Sequence, residues 1–95
     1  MAFNSNSVAV YNYVKENESK NITAQDIASA LGLNSRQVNG IITAAFQRHK
    51  NEEKEIVPLM VRVDGEIENA DGTHKAVKFI QLTEEGKNIE VTEKD

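Results

Sequence analysis

The chain has 95 residues, 39% hydrophobic and 27% charged, which suits one small domain with a single core and argues against a disordered chain. It has no cysteine, so disulfides, thiolate metal sites and thiol catalysis are excluded. Eleven Lys and Arg face fifteen Asp and Glu, and this net charge of −4 argues mildly against a nucleic-acid partner. No apolar run approaches the roughly 18 residues of a membrane span. The opening MAFNSNSVAV lacks the basic start and long apolar stretch of a signal peptide. A cytoplasmic protein without membrane contact is the expectation.

Apolar spacing predicts a first helix over about Ser5 to Glu16, with Val10 and Val14 four apart and Tyr11 beside them. A second helix opens at Thr23, a capping residue with Asp26 three positions on. Ile22 and Ile27 are placed as a hydrophobic staple across that cap. Ile27, Ala28 and Leu31 form its buried side, and Gly32 suits a left-handed closing residue. The third helix repeats the logic, with Asn34 as cap and Gln37 three on. Val38, Ile41, Ile42 and Ala45 line its inner side until about Lys50, where Asn51-Glu52-Glu53-Lys54-Glu55 forms a polar break.

Beyond Ile56 the period changes. Val61, Val63 and Ile67 alternate, and Ala76 to Leu82 is rich in Val, Phe and Ile. Asn69-Ala70-Asp71-Gly72 lies between them and carries an Asp-Gly hairpin signal. A long β-hairpin is expected, closed by Thr83-Glu84-Glu85-Gly86. Residues 1–86 form the expected domain, and the polar tail Lys87–Asp95 is expected to fray. The fold class is therefore α+β, three helices followed by a hairpin.

The informative unit is TAQDIASALGLNSRQVNGIITAAF. Ala28 is small where two helices cross, Gly32 follows in the turn, and Val38 returns to the inner face. Ile27, Leu31, Leu33 and Ile41 supply the other buried positions. Two helices at a steep angle around a short turn make a helix-turn-helix. With VYNYVKEN before it and the hairpin and LTEEG after it, the chain from about Ser5 to Gly86 resembles the winged helix-turn-helix proteins. The likeness is to the broad kind seen in MarR-like and related bacterial or phage regulators. That resemblance implies a short strand at Ile22-Thr23, a third helix that enters the major groove, and a hairpin wing that touches backbone or minor groove. The chain departs from the family pattern in two places. Arg48-His49-Lys50-Asn51 stands where a glycine often follows the third helix, and Asp64, Glu66 and Glu68 make the wing's first strand acidic.

At about 100° per residue, Arg36, Asn39, Gly40, Thr43 and Gln47 fall on one outward arc of the third helix, with Ser35 at its edge. The arc has no acid. Arg pairs with guanine O6 and N7, Asn and Gln pair with adenine, and Ser and Thr suit bases or phosphates. An exposed glycine inside a helix costs about 1 kcal/mol relative to alanine, and close approach to a phosphate or groove wall gives Gly40 a use. No acid lies between Asp26 and Glu52, where Arg36, Arg48 and Lys50 sum to +3. None lies between Asp71 and Glu84, where Lys75 and Lys78 add +2, so the rest of the chain carries −9. Sign asymmetry of this kind can create a local positive field on an acidic protein, although short acid-free stretches also arise by chance. Arg48, Lys50, Lys75 and Lys78 are the candidate phosphate contacts, although each taken singly also reads as a solvated surface charge.

The expected function is sequence-specific binding of double-stranded DNA by a small transcriptional regulator, without catalysis, cofactor or bound metal. The chain has two histidines, no G-x-S-x-G elbow, no phosphate loop among its five glycines, and no familiar metal spacing. The alternative is a winged-helix module that binds protein through its acidic wing and tail. Val77 and Phe79 on one side of the hairpin, with Ala76, Ile80 and Leu82 on the other, exceed what a wing with one wet face needs. A homodimer is one cover for the excess. The first helix with its Phe3 extension is the other.

Overall fold

A computed structural model describes residues 2–18 and 20–93. The architecture is α+β: four helices and a two-stranded antiparallel sheet, with one short parallel strand pair. Helix α1 spans Ser5–Glu16 and is capped by the Asn4 side chain, which accepts from the Ser7 N–H at 2.8 Å. Its apolar stripe of Val10, Tyr11 and Val14 is buried, as the spacing predicts.

Helix α2 spans Ala24–Leu31 and α3 spans Ser35–Ile41. Both start with reciprocal capping boxes. Asp26 N–H donates to Thr23 Oγ1 at 3.2 Å and Thr23 N–H to Asp26 Oδ2 at 3.0 Å. Gln37 N–H donates to Asn34 Oδ1 at 2.8 Å and Asn34 N–H to Gln37 Oε1 at 3.0 Å. Each box satisfies two backbone donors that the helix itself leaves without partners. Gly32 closes α2 in the left-handed region, φ 71°, where a side chain is strained.

The third helix departs from the expected uniform pitch. After Ile41 it widens into a π segment, Ile42–Gln47, ending where the Arg48 N–H bonds the Thr43 carbonyl at 3.1 Å. A π turn puts more residues in each revolution than an α turn. The segment still buries Ile42 and Phe46 completely. The break that follows is a tight loop built on Asn51, whose Oδ1 accepts from the Glu53 and Glu55 N–H groups at 2.9 and 3.0 Å.

Strands β2 (Met60–Glu68) and β3 (His74–Leu82) form the hairpin, with Met60 opposite Leu82 and Glu68 opposite His74. Five residues, Asn69 to Thr73, make the turn, and Gly72 takes φ 87° there. Leu59, Met60, Ile80 and Leu82 join the helices in one core with Ile27, Val38 and Phe46. The hairpin projects beyond that core, which leaves Val63 and Ile67 39% and 41% exposed. Phe79 lies over Gly65, where an added Cβ would meet the ring at 2.2 Å. Phe3, one expected cover for the hairpin, packs instead on Phe46 (5.2 Å between ring centroids) and His49 (6.2 Å).

Two further expectations change. Ile22-Thr23 forms no strand; Ile22 joins the hairpin through one bond, from the Ile80 N–H to its carbonyl at 2.8 Å. The chain after Gly86, expected to fray, is organised through residue 93. Helix α4 (Glu84–Asn88) is capped by Thr83, and β4 (Thr92–Glu93) pairs in parallel with β1 (Ala2–Phe3). Ile89 and Val91 pack against the core, and Lys87 bridges to Glu18 at 3.0 Å. These apolar residues give the tail something to bury. Lys94 and Asp95, the last part of that tail, lie outside the described residues.

No helix among the described residues is long and apolar enough to cross a membrane.

Candidate nucleic-acid interface

Between the start of α2, the exposed side of α3 and the hairpin lies an open cleft of about 440 Å³. Thr23, Gln25 and Asp26 line one wall and Ser35 and Asn39 another, while Arg62, Lys75 and Lys78 come from the hairpin. The two capping boxes fix the walls locally, because each sets the direction in which its helix leaves the preceding turn. The Ile22–Ile80 bond ties the hairpin to the segment that leads into α2.

Arg62 dominates this cleft and is the residue that sequence patterning misses. It sits near the root of β2, half-buried, opposite Ile80. One guanidinium nitrogen, Nη1, donates to Gln47 Oε1. The other, Nη2, reaches the Asn39 carbonyl and Asn39 Oδ1, both at 3.2 Å, and Thr43 Oγ1 at 3.1 Å. A planar fork of N–H donors can serve several acceptors at once, which an ammonium serves less well. The alternation of Val61, Val63 and Ile67 places Arg62 at the opposite parity, so only the register, which sets Arg62 opposite the buried Ile80, shows that it faces α3.

The expected outward arc is therefore divided. Ser35, Arg36, Asn39 and Gly40 are exposed, while Thr43 and Gln47 are half-buried under Arg62. Gly40 turns toward a second groove, about 560 Å³, where Phe3 of β1 and Asn6 and Ser7 at the start of α1 face Gln37, Ile41 and Ala44. An added Cβ at Gly40 would meet no atom within 4 Å. Arg36 stands on the ridge and lines neither groove.

The other cations distribute unevenly. Lys75 lines the cleft and is exposed. Lys78 lines it too, but its Nζ contacts Asp64 Oδ1 at 2.5 Å. The hydrogen bond and charge of Lys78 hold the Asp64 carboxyl below its ordinary pKa. This exposed pair adds little to stability, yet it offsets one of the acids of β2. Glu66 has His74 at 3.8 Å, and Glu68 lies opposite His74 in the register. Arg48 and Lys50 are exposed past the end of the π segment and line neither groove.

His49 is 9% exposed, beside Phe3, and burial lowers its pKa. Among the described residues no group of three or more His, Cys, Asp or Glu side chains is arranged to hold a metal ion. What the cleft offers chemically is a trough open to solvent with three cations, of which Arg62 is held by α3 and Lys78 by Asp64, and one carboxylate, Asp26. No protein-family model, curated protein or solved structure matches the chain.

Proposed function

We propose that the protein binds double-stranded DNA as a small transcriptional regulator, with α3 in the major groove and the hairpin beside it as a wing. The observation that carries this reading is the cleft in which Arg62, Lys75 and Lys78 face Ser35 and Asn39 beside the α2–α3 pair. The ridge beside it, with Arg36 and Gly40, is free of acid. Phosphate contacts by Arg36, Lys75 and Lys78 supply affinity, and Arg36 and Asn39 reach base edges. Arg48 and Lys50, outside both grooves, contribute general attraction.

Fluorescence anisotropy with a mixed-sequence duplex at two salt concentrations tests this. Neutralising three phosphates gives a slope of log K against log salt of about −3. Duplex binding with such a slope supports the reading, and no binding at low salt removes it.

The second reading is a winged-helix module that docks on another protein. The exposed Val63 and Ile67 on the hairpin favour it, flanked by Glu66 and Glu68. Ile67 also lines the cleft, so a contact felt at Val63, which does not, with none at Arg36 separates the two readings.

A further inference from the structure

We propose that Arg62 is a positioning residue that sets base preference: by holding the side-chain oxygens of Asn39 and Gln47, it turns the DNA-facing side of α3 into a surface of donors selective for guanine. This inference rests on the DNA reading above. Its first step needs only hydrogen-bond chemistry. A guanidinium donates and never accepts, so any amide bonded to it presents oxygen and not nitrogen. Asn39 meets Nη2 through Oδ1 at 3.2 Å, and Gln47 meets Nη1 through Oε1. The orientation of both amides is thus fixed by Arg62, independently of how their nitrogen and oxygen atoms are told apart.

Thr43 and the Asn39 carbonyl add two more acceptors for the same fork, at 3.1 and 3.2 Å. Four acceptors on one arginine tie down about two turns of the helix side toward the hairpin, from Asn39 to Gln47. The Asn39 carbonyl accepts from the Ile42 N–H as well, so Arg62 is a second donor to it, at the point where the pitch changes. The stem of Arg62 is itself set in the sheet opposite Ile80, whose N–H bonds Ile22.

The consequence is a change in what these amides read. To recognise adenine, Asn or Gln must offer oxygen to N6 and nitrogen to N7 together. With each oxygen turned to Arg62, that bidentate pose is lost. What remains for the duplex is the exposed Asn39 Nδ2, with the exposed Arg36 three residues before it on α3, both donors, while Gln47 stays half-buried and serves to hold Arg62. Guanine presents two acceptors, O6 and N7, in the major groove. The arc therefore favours guanine where side-chain identity alone points to adenine.

The test pairs selection from a random duplex library with NMR of the free protein, using wild type, Arg62→Met and Arg62→Lys. Wild type should select guanine at the positions under α3. Arg62→Met, which keeps the apolar stem, should lose that preference by about tenfold and gain adenine. Arg62→Lys keeps the charge without the fork and should also lose most of it. In the free protein, the side-chain NH₂ signals of Asn39 and Gln47 should move to free-amide positions in both variants. Selection of adenine by wild type overturns the proposal. So does an equal loss of affinity for all sequences with a salt slope reduced by about one, which marks a phosphate contact. Unchanged amide signals in a folded variant refute the positioning itself, whatever the DNA result. Absence of any duplex binding by wild type, with amide signals that do move, refutes the DNA reading and the base preference while locating the failure in function and not in the Arg62 contacts.

Discussion

Replacing Gly86 with alanine perturbs the point where the C-terminal segment closes on the core. The new Cβ would lie 2.0 Å from the Leu59 carbonyl oxygen, 2.9 Å from its carbonyl carbon and 3.3 Å from its Cα. All three are backbone atoms, so no side-chain rotation relieves the clash. Relief requires a displacement of more than about 1 Å before ordinary contact distances return. Leu59 cannot yield freely, because it is 1% exposed, its N–H bonds the Phe46 carbonyl at 2.8 Å, and its carbonyl accepts from the Thr83 N–H at 3.0 Å. Gly86 cannot yield freely either. Its carbonyl accepts from the buried Tyr11 hydroxyl at 2.6 Å and its N–H donates to Thr83 Oγ1 at 3.0 Å. Overpacking and the loss of one or two of these bonds together cost about 2–5 kcal/mol. At about 4–8 °C per kcal/mol for a domain this size, the melting temperature should fall by about 8–40 °C. Thermal unfolding by circular dichroism, with urea unfolding as a second measure, reads this directly. Tyr11→Phe, which removes only the hydroxyl, should cost about 1–3 kcal/mol, since the partner carbonyl stays buried. A Gly86→Ala melt within a few degrees of wild type would refute the close approach of α4 to Leu59.

Gly40→Ala has open space around the new methyl and gains helix propensity, so it should stabilise the free protein by about 0.5–1 kcal/mol. If a groove wall approaches Gly40, the same change weakens duplex binding, and melting curves with and without DNA show both effects. Gly32→Val forces a β-branched residue to φ 71° and should destabilise the fold measurably in urea, whereas Gly32→Asn should cost less. Burial holds the His49 pKa below its ordinary 6.5, so the unfolded chain takes up the proton first. Its contribution is therefore fully present above about pH 6.5 and is lost as pH falls toward the lower folded value. His49→Gln should flatten the pH dependence of stability in that window.

The parts of the fold written in short-range chemistry are the parts legible in the sequence. The caps Thr23–Asp26 and Asn34–Gln37 act over three residues, and Gly32 acts on its own backbone, so each could be read from its neighbours. The burial of Val10, Tyr11 and Val14 follows from spacing alone. The π segment escaped because the helical-phase argument fixes the turn angle in advance, whereas Ile42 and Phe46 are both fully buried and reach the core through a wider turn. Arg62 escaped for a different reason. Its partners lie 15 to 23 residues away, and the alternation of a strand says which side a residue faces but not which helix meets it. The β1–β4 pairing joins the two ends of the chain, and two-residue strands carry no periodicity to detect.

The candidate site shows the same division. Ser35, Arg36, Asn39 and Gly40 are exposed as their helical angles predict, because the box at Asn34 sets the phase over that first stretch. Past Ile41 the phase drifts, and Thr43 and Gln47 turn under the hairpin. Lys75 and Lys78 reach the cleft because the hairpin folds beside α3, a placement no local signal encodes.

Backbone and side-chain NMR shifts of the labelled protein, followed during titration with a mixed-sequence duplex at low and then moderate salt, test DNA recognition by α3 most directly. The shifts should concentrate at Ser35, Arg36, Asn39, Gly40, Lys75 and Lys78, and should collapse as salt rises. Silence at these residues in low salt, or shifts confined to Val63, Glu66 and Glu68 on the hairpin, would contradict it.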